Sequence, residues 1–127
     1  MDILTHAIIG AAVGYSFGDP IACAVVACAP DIVLGIKRKH EPNRLYKLFH
    51  SVFPSIALLS FGFEAEAIAW GSHILLDIPT HGRLWSPNLL YPFYRRGFSC
   101  FDEWEFFNAS WLKGLALSIG VVICLML

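Results

Sequence analysis

The sequence predicts an all-α protein: a membrane-embedded antiparallel bundle of about five helices, the first two forming a short hairpin. Three observations lead there. The 127 residues are 57% hydrophobic and only 15% charged, with a mean hydropathy of +0.61, whereas water-soluble domains carry roughly 45–50% apolar and about 25% charged residues. Apolar runs recur along the chain, each closed by glycine or proline. The connections between the early runs are short, which favours antiparallel neighbours. Residues 1–127 read as a single domain, without repeats, low-complexity tracts or an interdomain linker.

The first helix is expected over Leu4–Phe17, where Gly10 and Gly14 form a G-x-x-x-G pair that lets helices pack closely. Gly18-Asp19-Pro20 is punctuation: Asp19 suits an N-cap and Pro20 a first helical residue. A second helix then runs from Pro20 to about Ala29 and stops at Pro30-Asp31. Both helices fall short of the ~20 residues of a full span. They either dip into the bilayer as a hairpin or pack against other helices in a thin or tilted region. Asp31–Lys47 is a polar, basic loop, and a third helix begins near Pro42-Asn43, passes His50 and ends near Ser60, with a kink expected at Pro54. A fourth runs from Phe63 to about Ile78 and ends at Pro79. Thr80–Asn108 reads as a long interfacial loop. Its aromatics Trp85, Tyr91, Tyr94 and Trp104, with Trp111 beyond, are either headgroup-level anchors or parts of a packed surface loop. Trp111–Leu127 is the best transmembrane candidate.

Charge is patterned although its net value is only −1. Lys37, Arg38, Lys39, Arg44 and Lys47 form one basic stretch, Arg95 and Arg96 a second, and Lys113 precedes the last apolar run. By the positive-inside rule these stretches face the cytoplasm. The sharper reading is a site for anionic lipid headgroups. The start Met1-Asp2-Ile3-Leu4-Thr5-His6 lacks the positive region of a signal peptide, so the first run is taken as part of the mature protein. Cys23, Cys28, Cys100 and Cys124 include no C-x-x-C pair, which argues against a cysteine zinc site. Cys23, Cys28 and Cys124 behave as small hydrophobes in apolar helices.

The chemistry-bearing feature is His73-Ile-Leu-Leu-Asp77. At i and i+4 both side chains share a helix face one turn apart, as required for one helix to give a metal two ligands. The alternative is a buried His–Asp hydrogen bond that locks helices together. His81 stands just beyond, after Pro79-Thr80. His6, Asp31 and His50 complete the candidates. Taken singly they also read as a surface polar residue, a turn residue and a satisfied core histidine. In an antiparallel bundle the first helix leaves from His6, the second returns to Asp31, the third leaves from His50 and the fourth returns to His73 and Asp77. All five therefore reach the same, basic end. Three histidines and two aspartates suit Zn²⁺, as one or two ions, with Mn²⁺ or Fe²⁺ also compatible. Asp77, with two oxygens, can bridge two metals.

The ordered set Met1-Asp2, Thr5-His6, Gly10, Pro30-Asp31, His50-Ser51, His73, Leu75-Leu76-Asp77, Thr80, Gly82 and Pro87 resembles the membrane-bound metal-dependent hydrolases, also described as LexA-binding, inner-membrane-associated hydrolases. The resemblance covers about the first 92 residues. Members often carry a histidine and an arginine just before the H-S pair, where this chain has Leu45-Tyr46-Lys47-Leu48-Phe49. His81 stands where a less polar residue is common. More distantly, the order of His, Asp, His and H-x-x-x-D is similar to zinc-dependent phospholipase C and the S1/P1 nucleases. The resemblance implies His6, Asp31, His50, His73 and Asp77 as metal ligands, and His81 as a further ligand or a group supporting one, with Asp77 and His81 closest to the catalytic step. It implies hydrolysis of a phosphoester such as a phospholipid by a metal-acidified water. No G-x-S-x-G or phosphate-cradling loop competes with that reading.

The expected function is thus an inner-membrane metal-dependent hydrolase. The alternative is a non-enzymatic membrane protein whose metal or His–Asp network is structural and which docks a protein partner. A transporter using intramembrane His and Asp is a third, and would have to oligomerise at this chain length. Membrane lipids are the expected surroundings, a homo-oligomer is compatible, and no direct nucleic-acid contact is expected.

Overall fold

The computed structural model describes residues 3–32, 42–82 and 85–98, together with positions 116, 119, 120 and 123. It is all-helical there: α1 (Ile3–Phe17), α2 (Pro20–Ile32), α3 (Arg44–Phe49), α4 (Phe53–Ser60) and α5 (Glu64–Thr80). α1 and α2 form the expected hairpin. Gly18 takes φ +88°, a left-handed conformation open to glycine at little cost. The Asp19 carboxylate accepts the Ala22 N–H at 3.0 Å, capping α2 as expected from Asp-Pro.

The G-x-x-x-G pair is the seam of that hairpin. A methyl group on Gly10 would lie 2.5 Å from the Cys23 carbonyl oxygen and 2.6 Å from the Ala27 Cβ, and one on Gly14 would lie 2.7 Å from the Cys23 Cβ. Val13, Cys23, Ala27 and Ala69 form a small apolar core, and α5 packs across both helices there. α4 in turn packs on α5, where the Ser55 hydroxyl donates to the Ala67 carbonyl.

Prolines act differently from expectation at three places. α2 does not stop at Pro30-Asp31 but continues to Ile32, and α5 runs through Pro79 to Thr80. A proline in a last turn removes one hydrogen bond without displacing the turns beyond it, and Asp31 is thereby held on the helix. The third predicted helix is not one kinked rod but two helices, with Pro54 in the first turn of α4. Had the helix continued, the Pro54 ring would meet the His50 carbonyl four residues back. The break at 50–52 removes that clash. Ser51 ties it down by donating to the Leu48 carbonyl at 2.6 Å, and Val52 N–H reaches the Leu89 carbonyl at 2.9 Å. α3 starts where expected, with the Asn43 side chain accepting the Tyr46 N–H at 2.8 Å.

The membrane reading is overturned. Among the described residues no helix is long and apolar enough to cross a membrane. α5, the longest of the described helices, has 17 residues, about 25 Å at 1.5 Å per residue, against a hydrocarbon core of ~30 Å. It also carries Glu64, Glu66 and Asp77. High hydropathy misled because it is dispersed over short helices. The integral inner-membrane placement and the cytoplasmic orientation of the basic stretches fall with that finding. Trp111–Leu127 lies outside the described residues apart from four helical positions, as do Lys37, Arg38, Lys39, Cys100, Trp104 and Lys113. Apolar side chains do face outward, among them Leu4, Tyr15, Ile21, Val25 and Leu59, while the largest fully buried side chains include His6, His50, His73 and Asp77.

Candidate metal centre

Four segments meet at one end of the bundle. His6 comes from the first turns of α1, Asp31 from the last turn of α2, His50 from the α3–α4 break, and His73 and Asp77 from successive turns of α5. His50, His73 and Asp77 are fully buried and His6 is 1% exposed, while the Asp31 side chain is 24% exposed. Ligand atoms of Asp31, His50, His73 and Asp77 all lie within 4.8 Å of one another, so this group can hold a metal ion.

The tautomers are set for that purpose. His73 Nδ1 donates to the Ala27 carbonyl at 2.7 Å, and His50 Nδ1 donates to the Tyr46 carbonyl at 3.2 Å. With both protons on Nδ1, the Nε2 lone pairs turn inward, and they face each other at 3.2 Å. Two lone pairs at that distance repel unless a cation lies between them. Backbone carbonyls that fix a ligating histidine in this way are characteristic of metal sites. Around those nitrogens, Asp77 Oδ2 stands 3.3 Å from His50 and 3.1 Å from His73, and Asp31 Oδ1 stands 3.6 Å and 3.9 Å away. A tetrahedron with metal–ligand bonds of ~2.0–2.1 Å has edges of about 3.3–3.4 Å. Five of the six edges bracket that value and the sixth, between the two carboxylates, lies within 4.8 Å, so the donor set and its spacing can hold one four-coordinate ion.

Electrostatics agree. Burial alone would raise both carboxyls, but nearby positive charge and the hydrogen bonds of the histidines outweigh it, so Asp31 stays below its ordinary value and Asp77 well below. Burial drives His6 down to about 4 against its bond to Asp77, which keeps the imidazole neutral. His50 behaves oppositely: burial lowers it, yet its bonds to Asp31 and Asp77 raise it above 6.5. Two ionised, enclosed carboxylates thus attract positive charge, as a proton on His50 or as a metal ion.

His6 and His81 stand against the other carboxylate oxygens. His6 Nε2 is 3.1 Å from Asp77 Oδ1 and 3.9 Å from Asp31 Oδ2. His81, whose side chain is 21% exposed, places Nδ1 3.2 Å from Asp77 Oδ1 across one turn. The His6 ring also stacks on His73 with centroids 3.7 Å apart.

Sequence reasoning missed the support. Tyr46 stacks on His50 at 3.9 Å and donates its hydroxyl to the Trp85 carbonyl. The i, i+4 spacing of Tyr46 and His50 was the available signal. Trp85 meets the Tyr46 ring edge-on, as part of a packed loop. That loop folds back over α3 and α4, with Phe93 against Phe53. It brings Arg95 and Tyr91 beside Pro42, Asn43, Arg44 and Lys47 to line a cleft of about 520 Å³. Arg44 and Lys47 of the first basic stretch and Arg95 of the second thus share one cleft. No protein-family model, curated protein or solved structure matches this chain.

Proposed function

We propose that this protein is a metal-dependent hydrolase acting on a phosphoester. The observation that carries the reading is the tetrahedral cage of His50, His73, Asp31 and Asp77, with both imidazoles preset by backbone carbonyls. A divalent ion there, most suitably zinc with manganese or iron as alternatives, would supply a Lewis acid that acidifies water and offsets charge developing on a phosphoryl group. The chain's own residues do the rest. Ala27 and Tyr46 carbonyls orient the imidazoles, and the partly exposed Asp31 keeps one side of the cage within reach of solvent. Arg44, Lys47 and Arg95 line a cleft with no acidic residue among its described lining residues, which suits an anionic substrate. The ordered motifs around His6, Asp31, His50 and Asp77 resemble metal-dependent hydrolases, which supports the same reading.

The test is metal analysis of the purified protein together with hydrolysis of bis(p-nitrophenyl) phosphate and p-nitrophenyl phosphate. We expect metal-dependent turnover that a chelator removes, zinc restores and His73→Ala abolishes. Metal-loaded protein that cleaves neither ester, or turnover indifferent to His73→Ala, would overturn the proposal. One observation favours a second reading, a structural ion: four protein donors already complete a tetrahedron, as closed structural sites do. In that case removing the ion lowers the melting temperature and no hydrolysis accompanies the loaded form.

A further inference from the structure

α3 presents two faces of different chemistry. Tyr46 turns inward, 2% exposed, and stacks on His50. Arg44 and Lys47, at i and i+3, share a second face that lines the cleft. The loop 85–98 brings Arg95 and Tyr91 to the same cleft. Its backbone is pinned there: Val52 N–H donates to the Leu89 carbonyl, Tyr94 N–H to Leu90 and Phe98 N–H to Pro87, each at 2.9 Å. Two separate segments are therefore held so that three cations meet. Among the described residues none of the three is paired with a carboxylate. Like charges gathered in this way repel, and a bound anion removes the repulsion.

The other polar groups of the lining are donors as well. Asn43 commits its Oδ1 to the Tyr46 N–H at 2.8 Å, which leaves its amide N–H groups to donate. Tyr91 adds a phenol O–H. Two guanidinium groups, an ammonium, an amide and a phenol match an acceptor-only ligand. Three positive charges exceed what a monoanion balances, whereas a phosphomonoester carries about two negative charges near neutral pH. Guanidinium forks also fit phosphate oxygens in pairs. The volume of about 520 Å³ falls within the roughly 300–1,000 Å³ of sites for small organic ligands. The Tyr91 ring and Pro42 give the part of the ligand beyond the phosphate an apolar wall.

We propose that this cleft is a recognition site for a phosphomonoester joined to an apolar or aromatic group, with Arg44, Lys47 and Arg95 on the phosphate and Tyr91 against the attached group. The inference rests on the reading of this cleft as an anion site and requires neither a metal nor hydrolysis. The ligand ties α3 to the loop 85–98, so its binding raises the melting temperature. Soluble esters and phosphatidic acid headgroups both offer this chemistry.

The test is calorimetric titration of the full-length protein with phenylphosphonate at mildly alkaline pH, where the probe is a dianion. Its carbon–phosphorus bond resists hydrolysis and its ring suits Tyr91. Phenylphosphonate should bind at one site per chain, more tightly than inorganic phosphate, and should still bind in the presence of a chelator. Benzenesulfonate, with the same ring and one charge fewer, should bind roughly tenfold or more weakly. Arg44→Gln and Arg95→Gln, both at exposed positions, should each weaken phenylphosphonate roughly tenfold or more. Arg96→Gln changes the net charge equally but lies outside the described lining, and should bind as wild type does. Tyr91→Leu should weaken phenylphosphonate roughly fivefold or more and leave inorganic phosphate unchanged. Co-sedimentation with phosphatidylcholine vesicles, with and without phosphatidic acid, separates the sources. Retention that needs phosphatidic acid and is lost in Arg95→Gln supports a lipid headgroup, and phenylphosphonate binding without retention supports a soluble ester. Absent phenylphosphonate binding, binding that a chelator abolishes, equal affinity for benzenesulfonate, or equal losses in Arg95→Gln and Arg96→Gln would each overturn the proposal. Metal-dependent turnover that survives such a result leaves the hydrolase reading standing.

Discussion

α1, α2 and α5 build two regions from opposite materials. At the hairpin seam they present Gly10, Gly14, Cys23, Ala27 and Ala69, and contact is made by what the side chains lack. One to two turns away the same helices supply His6, Asp31, His73 and Asp77, which His50 joins from the α3–α4 break, and contact is made by charge and lone pairs. The regions depend on each other through Ala27. Its Cβ lies against Gly10, while its carbonyl accepts the His73 proton. Close packing at the seam therefore sets the tautomer at the cage, and a backbone shift of a few tenths of an ångström at α2 reaches the metal site.

The largest expected effect breaks the cage alone. Asp77→Asn removes the one carboxylate that touches all four histidines. The variant should purify without stoichiometric metal, which elemental analysis reads directly, while circular dichroism retains the helical signature.

Breaking the seam comes next. Gly10→Val places side-chain atoms against the Cys23 backbone carbonyl, which cannot rotate away. The cost should be about 2–3 kcal/mol in urea unfolding. Metal affinity should fall along with stability, because α2 carries both Asp31 and the Ala27 carbonyl. Unchanged metal affinity in a destabilised Gly10→Val protein would show that seam and cage are independent.

pH sharpens the comparison, since the seam's titratable group is the Cys23 thiol, which burial raises above its ordinary 9.0, whereas the cage titrates at lower pH. Burial holds His6 near about 4 in the folded protein, so unfolding takes up its proton between that value and 6.5, and stability rises with pH across the window. For His50, the bonds to Asp31 and Asp77 outweigh burial and raise it above 6.5, so its contribution is present below that value and is lost as pH climbs through the folded pKa. Both carboxyls add stability that disappears only as pH falls below their ordinary 3.8. The melting temperature of chelator-stripped protein should peak near pH 6.5, and added zinc should restore most stability on the alkaline side.

The smallest effect isolates the support beneath His50. Tyr46→Phe keeps the ring stacked on His50 and removes only the hydrogen bond to the Trp85 carbonyl. It should cost about 0.5–1.5 kcal/mol and leave metal content unchanged. Tyr46→Ala, which removes the stack, should weaken metal binding roughly tenfold.

The sequence by itself determined the helical class, the hairpin with its Asp19-Pro20 cap and glycine seam, and the residues worth watching. These follow from local rules: a left-handed turn needs glycine, an N-cap needs a short acceptor, and i, i+4 spacing puts His73 and Asp77 on one face. Composition was a poor guide to surroundings. An average over 127 residues does not say whether apolar side chains form one long rod or the faces of several short ones. Only tertiary structure decided which oxygen of each aspartate faces which histidine. The same is true of which carbonyl holds each imidazole proton, and of how Arg95 meets Arg44 and Lys47. Those partners are 46 residues apart for His73 and Ala27 and 71 for His6 and Asp77. One of them is a backbone carbonyl, a group every residue carries, so no residue type announces it. Its role appears only when the glycine seam brings α2 close enough to α5 for a 2.7 Å hydrogen bond.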